Sequence, residues 1–202
     1  MKTLKFFIAA LLFGSLQIAN AQDNASSSTG ISFGVKGGVN FATVTGDNFD
    51  SPDSRTSFHV GVLAEFPLTD AFSIQAEALY SGQGFKSDIT APGFSEKAEY
   101  QLDYINVPVL AKIYLTDGLS VEVGPQFSFK VNEEADADPN NNAGDFDLDE
   151  AESFDFAVAG GLTFQTKMGF FATGRYTYGL TDIVKDADVK NSVFQLGVGF
   201  KF

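Results

Sequence analysis

From about residue 31 onward, large apolar residues recur at every second position. The segment NSVFQLGVGFKF (191–202) shows it most plainly. Phe194, Leu196, Val198, Phe200 and Phe202 alternate with Gln195, Gly197, Gly199 and Lys201. A period of two is that of a strand with one apolar and one polar face. The same alternation predicts strands over 31–42, 56–66, 71–85, 99–115, 119–131, 153–165, 169–180 and 189–202. No helical period competes after residue 22. Three connections are short (67–70, 116–118, 166–168) and four are long (43–55, 86–98, 132–152, 181–188). Short and long alternate strictly. The expectation is an all-β fold, an eight-stranded antiparallel up-and-down transmembrane β-barrel in which the eighth strand closes against the first. The chain then stops on Phe202, at closure.

The apolar face carries aromatic residues at both ends. Phe33, Phe66, Phe72, Phe164, Phe170 and Phe200 fall near the short turns. Phe41, Phe58, Tyr80, Phe129, Phe154, Tyr178 and Phe194 fall near the long loops. Two aromatic belts around an apolar band are what a bilayer selects. A soluble barrel of lipocalin type would turn its apolar face inward and show no belts. One strand departs from the pattern. Pro108 lacks an amide donor and is disfavoured inside a paired strand, and a bulge there would turn Tyr104 outward and Asp103 inward.

Composition strengthens this picture. The 202 residues include 22 Phe and no Cys, yet the mean hydropathy is near zero. A barrel that is apolar outside and polar inside accounts for both. The N-terminal stretch has Lys2 and Lys5, an apolar run Phe6–Phe13 and then Ala19-Asn20-Ala21. That is the form of a secretory signal peptide, and its run is far short of the roughly 20 residues a spanning helix needs. Residues 1–21 are expected to be removed between Ala21 and Gln22. Residues 22–30 would be a flexible periplasmic leader, and 31–202 the barrel. Without Lys2 and Lys5 the chain holds 11 basic against 26 acidic residues, a net charge of −15. Such a surface argues against nucleic acid as a partner.

Parity also sorts the charges. Lys36, Lys112, Lys130, Arg175 and Lys201 point inward, as do Glu65, Glu77, Glu122 and Asp155. Five bases against four acids is near balance, whereas the whole chain is strongly acidic. Buried charge is costly unless paired, so the expectation is a salt-bridge network that plugs the barrel. If Gly118 takes a left-handed conformation in a three-residue TDG turn, Lys112 stands directly opposite Glu122 and the two should pair. Lys36, Glu77 and Arg175 lie at similar heights and should meet across the lumen. The alternative is that these charges line a narrow pore for small solutes.

Evidence for catalysis is thin. The single His59 points inward near the long-loop end, with Asp155 a conceivable partner and Ser128 a conceivable nucleophile. A barrel enzyme acting on lipid A or peptides would need such a triad, but no spacing supports one. The third long loop, NEEADADPNNNAGDFDLDEAES, holds nine carboxylates and no base. Asp145, Asp147 and Asp149 alternate as at the start of a calcium loop. However, Glu150 stands where the EF-hand has Gly, and Phe156 where it has the bidentate Glu. A solvated acidic loop is expected there, with divalent cations and lipopolysaccharide as conceivable partners. No cofactor is expected.

The segments GVKGGVNFA (34–42), DYINVPVLAKIYL (103–115), VGPQFSF (123–129), FDFAVAGGLTF (154–164), GRYTYGLTDI (174–183) and FQLGVGFKF (194–202) together resemble the PorT-like outer-membrane β-barrel family of Bacteroidota. The resemblance implies an eight-stranded barrel, a Sec signal and an outer-membrane address. It also implies that a terminal aromatic, here Phe202, is read by the barrel assembly machinery. It says little about activity, and no motif here carries over the secretion and gliding role of the family's namesake. The reading is a non-enzymatic outer-membrane barrel with extracellular acidic loops and periplasmic termini, structural or interactive in role.

Overall fold

A computed structural model describes residues 30–46, 53–91, 94–136, 145–147, 152–183 and 189–202. The expected signal peptide, its cleavage point and the leader as far as residue 29 lie outside these residues. Among these described residues nine strands follow in order: β1 (Ser32–Thr45), β2 (Asp53–Thr69), β3 (Phe72–Ala91), β4 (Phe94–Tyr114), β5 (Leu119–Asp136), β6 (Asp145–Asp147), β7 (Phe154–Gln165), β8 (Phe170–Gly179) and β9 (Lys190–Lys201). Eight of them close into an antiparallel barrel. Each pairs with its neighbour in the chain, β4 with β5, β5 with β7, and β9 returns to β1. The ninth, β6, only extends the long-loop end of β5.

Closure is staggered. Opposed positions can be followed round the wall from Thr43 through Ser192, Tyr178, Val158 and Pro125, then, on the register set by the flanking pairs Gln126–Pro108 and Val123–Ala111, to Val109, Ala76 and Ala64. The path returns to β1 at Phe33, ten residues lower. A shear of that size on eight strands corresponds to a tilt of about 40° and an interior just wide enough for side chains.

The wall is apolar on its outside. Val35, Val60, Val123, Leu162, Leu196 and Val198 are exposed, while inward positions hold Lys36, Glu77, Lys112, Glu122 and Arg175, all buried. Neighbouring belt rings touch across strands: Phe170 with Phe200 near the short turns, and Phe41 with Phe194, Phe58 with Tyr80 and Phe129 with Phe154 near the long loops. From Phe33 to Phe41 on β1 is about 26 Å along the strand, or about 20 Å along the barrel axis at this tilt. That is within a few ångströms of the roughly 25 Å apolar band of an outer-membrane barrel.

Four expectations need correction. Pro108 makes no bulge: inward parity holds through Leu102, Tyr104, Asn106, Pro108 and Leu110. The ladder instead lacks partners on β4 for Glu77 and Ala78, opposite Pro108 and its neighbour, because proline donates no amide. Tyr104 is therefore buried inside. The register slip lies on β5, where Tyr104 pairs with Lys130 but Asp103 with Asn132. The segment 86–98 is no open loop, since β3 and β4 stay paired as far as Ala91 and Phe94. Gly118 has no positive φ. The left-handed glycine of a short turn is Gly169, at φ 91°, between β7 and β8. Finally, Asp145 and Asp147 of the expected acidic loop lie in a strand, β6, paired with the end of β5; Asp149 and Glu150 lie outside the described residues.

Candidate functional site: a charged network across the lumen

The inward side chains join two charged clusters. Nearest the short turns, Glu65 on β2 accepts from four groups. Ser73 Oγ donates to its Oε1 at 2.6 Å, and Tyr114 Oη donates to the same atom. Lys112 Nζ reaches its Oε2 at 3.3 Å, and Lys201 Nζ binds there as well. Lys201 also donates to Gln165 Oε1 at 3.0 Å.

One level higher, Arg175 on β8 spans the lumen. Its Nη1 and Nη2 grip both oxygens of Glu77 on β3 at 2.7 Å. Its Nε donates to Glu122 Oε1 on β5 at 2.8 Å. A planar guanidinium suits this double task, because its forked donors fit one carboxylate while the remaining edge serves a second. Thr163 donates to Glu122 Oε2 at 3.0 Å, and Lys36 Nζ lies 3.5 Å from Glu77 Oε2. Gln75 joins the two levels: its Oε1 accepts from Lys112 at 3.2 Å and its Nε2 donates to Glu77 at 2.5 Å. Small inward residues make room. A Cβ on Gly197 would stand 3.0 Å from His59 Nε2 and 3.1 Å from the Lys36 chain.

Seven of the nine inward charges read from the sequence thus fall into one connected set: Lys36, Glu65, Glu77, Lys112, Glu122, Arg175 and Lys201. Lys112 and Glu122 are directly opposite in register, yet they are not partners. Glu122 turns to the guanidinium of Arg175, and the longer Lys112 reaches Glu65. The other two charges stand apart, toward the long loops. Lys130 pairs with Glu133 on its own strand at 2.5 Å. Asp155 accepts from Thr181 at 2.8 Å and from Asn191 at 3.1 Å.

The conceivable triad does not assemble. His59 Nδ1 is 2.7 Å from Asn40 Oδ1, Asp155 is engaged as above, and Ser128 accepts from Gln126 at 3.3 Å. Sequence reading also passed over Arg55, which is buried and donates to Gln83 O at 3.0 Å and Gln101 Oε1 at 2.8 Å. Arg55 shares the parity of His59 and Glu65, so starting that strand at residue 53 would have found it. Phe202 points outward, 67% exposed, and its amide donates to Phe33 O at 2.9 Å.

A closed antiparallel barrel with an apolar, belted outside and an ion-paired inside is an integral outer-membrane barrel. Residues 20–185 match the family model described as "Outer membrane protein beta-barrel domain", and the chain belongs to that family. The pairing of β9 with β1 carries the same barrel beyond the matched segment. No curated protein sequence matches. Among solved structures, the chain is similar to Neisserial surface protein A (15% identity, TM-score 0.56, covering 86% of this chain and 99% of that one). It is also similar to Ail, the attachment invasion locus protein of Yersinia pestis (13%, TM-score 0.53, 85% and 98%). A further structure of Ail, in complex with the heparin analogue sucrose octasulfate, resembles it equally (12%, TM-score 0.52, 85% and 99%). At these identities the likeness is one of fold.

Proposed function

We propose that this protein is a plugged, non-enzymatic outer-membrane barrel whose work is done by its acidic loops at the cell surface. The observation that carries this reading is the seven-residue network joined by Arg175 and Gln75. Its charged ends are buried and committed to one another across the lumen. A solute path would have to break these pairs in a site without competing solvent, and each break leaves a charge uncompensated. With the lumen occupied, the parts free to meet a partner are the long connections, in which the excess negative charge is concentrated. In this reading the long loops are extracellular, both termini are periplasmic, and Phe202 is read during assembly. The PorT-like resemblance fits the same outer-membrane address.

The nature of the partner follows from charge. Ail forms a complex with the heparin analogue sucrose octasulfate, a polyanion. This chain carries a net charge of −13 and would repel such a ligand at long range. Cationic surfaces, or divalent cations bridging to lipopolysaccharide, suit it better. Support for the absence of catalysis is that His59, Asp155 and Ser128 are committed to separate partners. The test is single-channel recording of the purified protein in planar bilayers, alongside binding of intact cells to cationic and anionic probe beads. The reading expects no steady conductance and capture by cationic beads, reduced when the acidic residues of 133–152 are neutralised. Large stable channel steps from the wild type would replace it with the pore.

A further inference from the structure

Beyond the charged network, toward the long loops, the lumen changes character. Thr177 is the next inward residue after Arg175 on β8. Gln126 is two inward steps past Glu122 on β5. Asn106, His59 and Gln195 are three inward steps past Lys112, Glu65 and Lys201 on β4, β2 and β9. All five are at most 3% exposed. Each carries a polar atom with no protein partner: both amide atoms of Asn106, Oε1 of Gln126 and of Gln195, Oγ1 of Thr177, and Nε2 of His59.

The hydrogen-bonding sense of this ring can be worked out. Asn40 Nδ2 donates to Gly82 O at 2.7 Å and Phe58 O at 3.2 Å, so its Oδ1 is an acceptor. His59 Nδ1, 2.7 Å from that oxygen, must carry the proton, and Nε2 presents a lone pair. The ring therefore asks for donors at His59, Gln126 and Gln195, and for an acceptor at the Asn106 amide nitrogen. A cation would satisfy only the acceptors, and would sit one level from Arg175 and Lys36. An anion would satisfy only the donor. Water is both donor and acceptor, and it is the usual partner of such groups.

The ring is bounded on both sides. On one side lies the Glu77–Arg175–Glu122 cluster. On the other lie Val44, Leu102, Tyr104, Ile183 and Val189, packed as a buried cluster inside the barrel mouth. Ile183 and Val189 belong to the ends of the β8–β9 connection. They are tied in by Ile183 N to Val189 O, Glu152 N to Ile183 O, and Thr181 to Asp155, each at 2.8 Å.

We propose that the lumen holds a closed compartment of ordered water between two seals in series, one charged and one apolar. The proposal rests on the plugged-barrel reading and adds that either seal alone keeps the barrel shut. Breaking the charged seal leaves the apolar one, through which a hydrated ion does not pass. Breaking the apolar seal admits solvent only as far as Arg175.

Two experiments on the full chain test it. The first records planar-bilayer conductance from the wild type, Arg175→Gln, the pair Ile183→Ser with Val189→Ser, and the combination of all three. The expected result is current from the combination alone, at least ten times that of either partial variant. If either partial variant matches the combination, or a folded combination stays silent, the two seals are overturned. Wild-type current would instead overturn the plugged reading on which they rest. The second counts long-lived internal water by oxygen-17 magnetic relaxation dispersion in the wild type and in Thr177→Val with Gln126→Leu, replacements that keep near-native volume. Fewer long-lived waters in the variant support the compartment. An unchanged count, or none in the wild type, overturns it.

Discussion

Removing the Arg175 side chain should destabilise the barrel strongly, and the loss should depend on pH. Arg175→Ala deletes three charge-assisted hydrogen bonds, two to Glu77 and one to Glu122. Both carboxylates are buried, and Lys36, 3.5 Å from Glu77, is the remaining cation at that level. One negative charge is then uncompensated. The variant can keep the charge, at about 3–5 kcal/mol for a broken buried pair, or it can take up a proton. Protonating a carboxyl of ordinary pKa about 4.3 at pH 7 costs roughly 1.4 kcal/mol for each of about 2.7 pH units, near 4 kcal/mol. The two routes agree, so the loss at neutral pH should be about 4 kcal/mol. At pH 5 the second route costs only about 1 kcal/mol. The sign follows from linkage: the folded variant holds a proton that the unfolded chain does not, so its stability relative to wild type rises as pH falls. The assay is reversible urea unfolding in phospholipid vesicles, followed by circular dichroism, because the chain has no Trp. A difference below about 1 kcal/mol at pH 7, or one equal at pH 5 and pH 7, would refute the reasoning. Arg175→Met combined with Glu77→Gln and Glu122→Gln should recover most of the loss, since no lone charge remains.

Glu65→Gln leaves Lys112 and Lys201 facing each other without their shared acid, and should cost about 3–5 kcal/mol in the same assay, whereas Lys201→Met, which keeps the Lys112–Glu65 pair, should cost clearly less. On the outside, Leu196→Arg at mid-band should destabilise by about 2–4 kcal/mol and Phe41→Arg at the belt by at most about 1 kcal/mol; equal effects would remove the bilayer from the explanation. Gly169→Val places a β-branched residue at φ 91°, with its Cβ in collision with Lys201 O, and should weaken the β7–β8 turn enough to lower the folded fraction on a heat-shift gel. An epitope tag after Asn141 should be reached by antibody on intact cells and one in the Thr116–Gly118 turn should not; the reverse pattern would invert the proposed orientation.

The barrel was legible in the sequence because its signal is periodic. A slip of one residue would move a whole apolar set from lipid to lumen, so the alternation is enforced along every strand. The meeting of Lys36, Glu77 and Arg175 could also be read, since height along a strand is fixed by residue count from the turn. What could not be read was where a long side chain goes once inside. Lys112 and Glu122 face each other, but in a narrow lumen each reaches several strands, and the bidentate guanidinium wins Glu122. Strand ends were the other blind spot. Arg55 lay one residue outside the expected second strand. Ile183, in a connection that looked solvent-exposed, turns back into the barrel mouth because it is apolar and finds Val44 and Leu102 there. Pro108 looked like a break and is not one, because the gaps beside it are short and β4 resumes its pairing with β3 and with β5 on either side of them.

The pairing of β1 with β9 joins residues 34–45 to 190–201. Of all the contacts in the wall, these span the longest stretch of chain, so closing that loop carries the largest entropic penalty and is expected to come late. Until the seam forms, both strands present open hydrogen-bonding edges and Lys201 is held away from Glu65. Folding is then a race between zipping the seam and joining a neighbouring chain edge to edge. Residues that never touch a ligand, such as Gly38 and Gly197 where the two backbones meet, would set the yield of native protein more than its final stability.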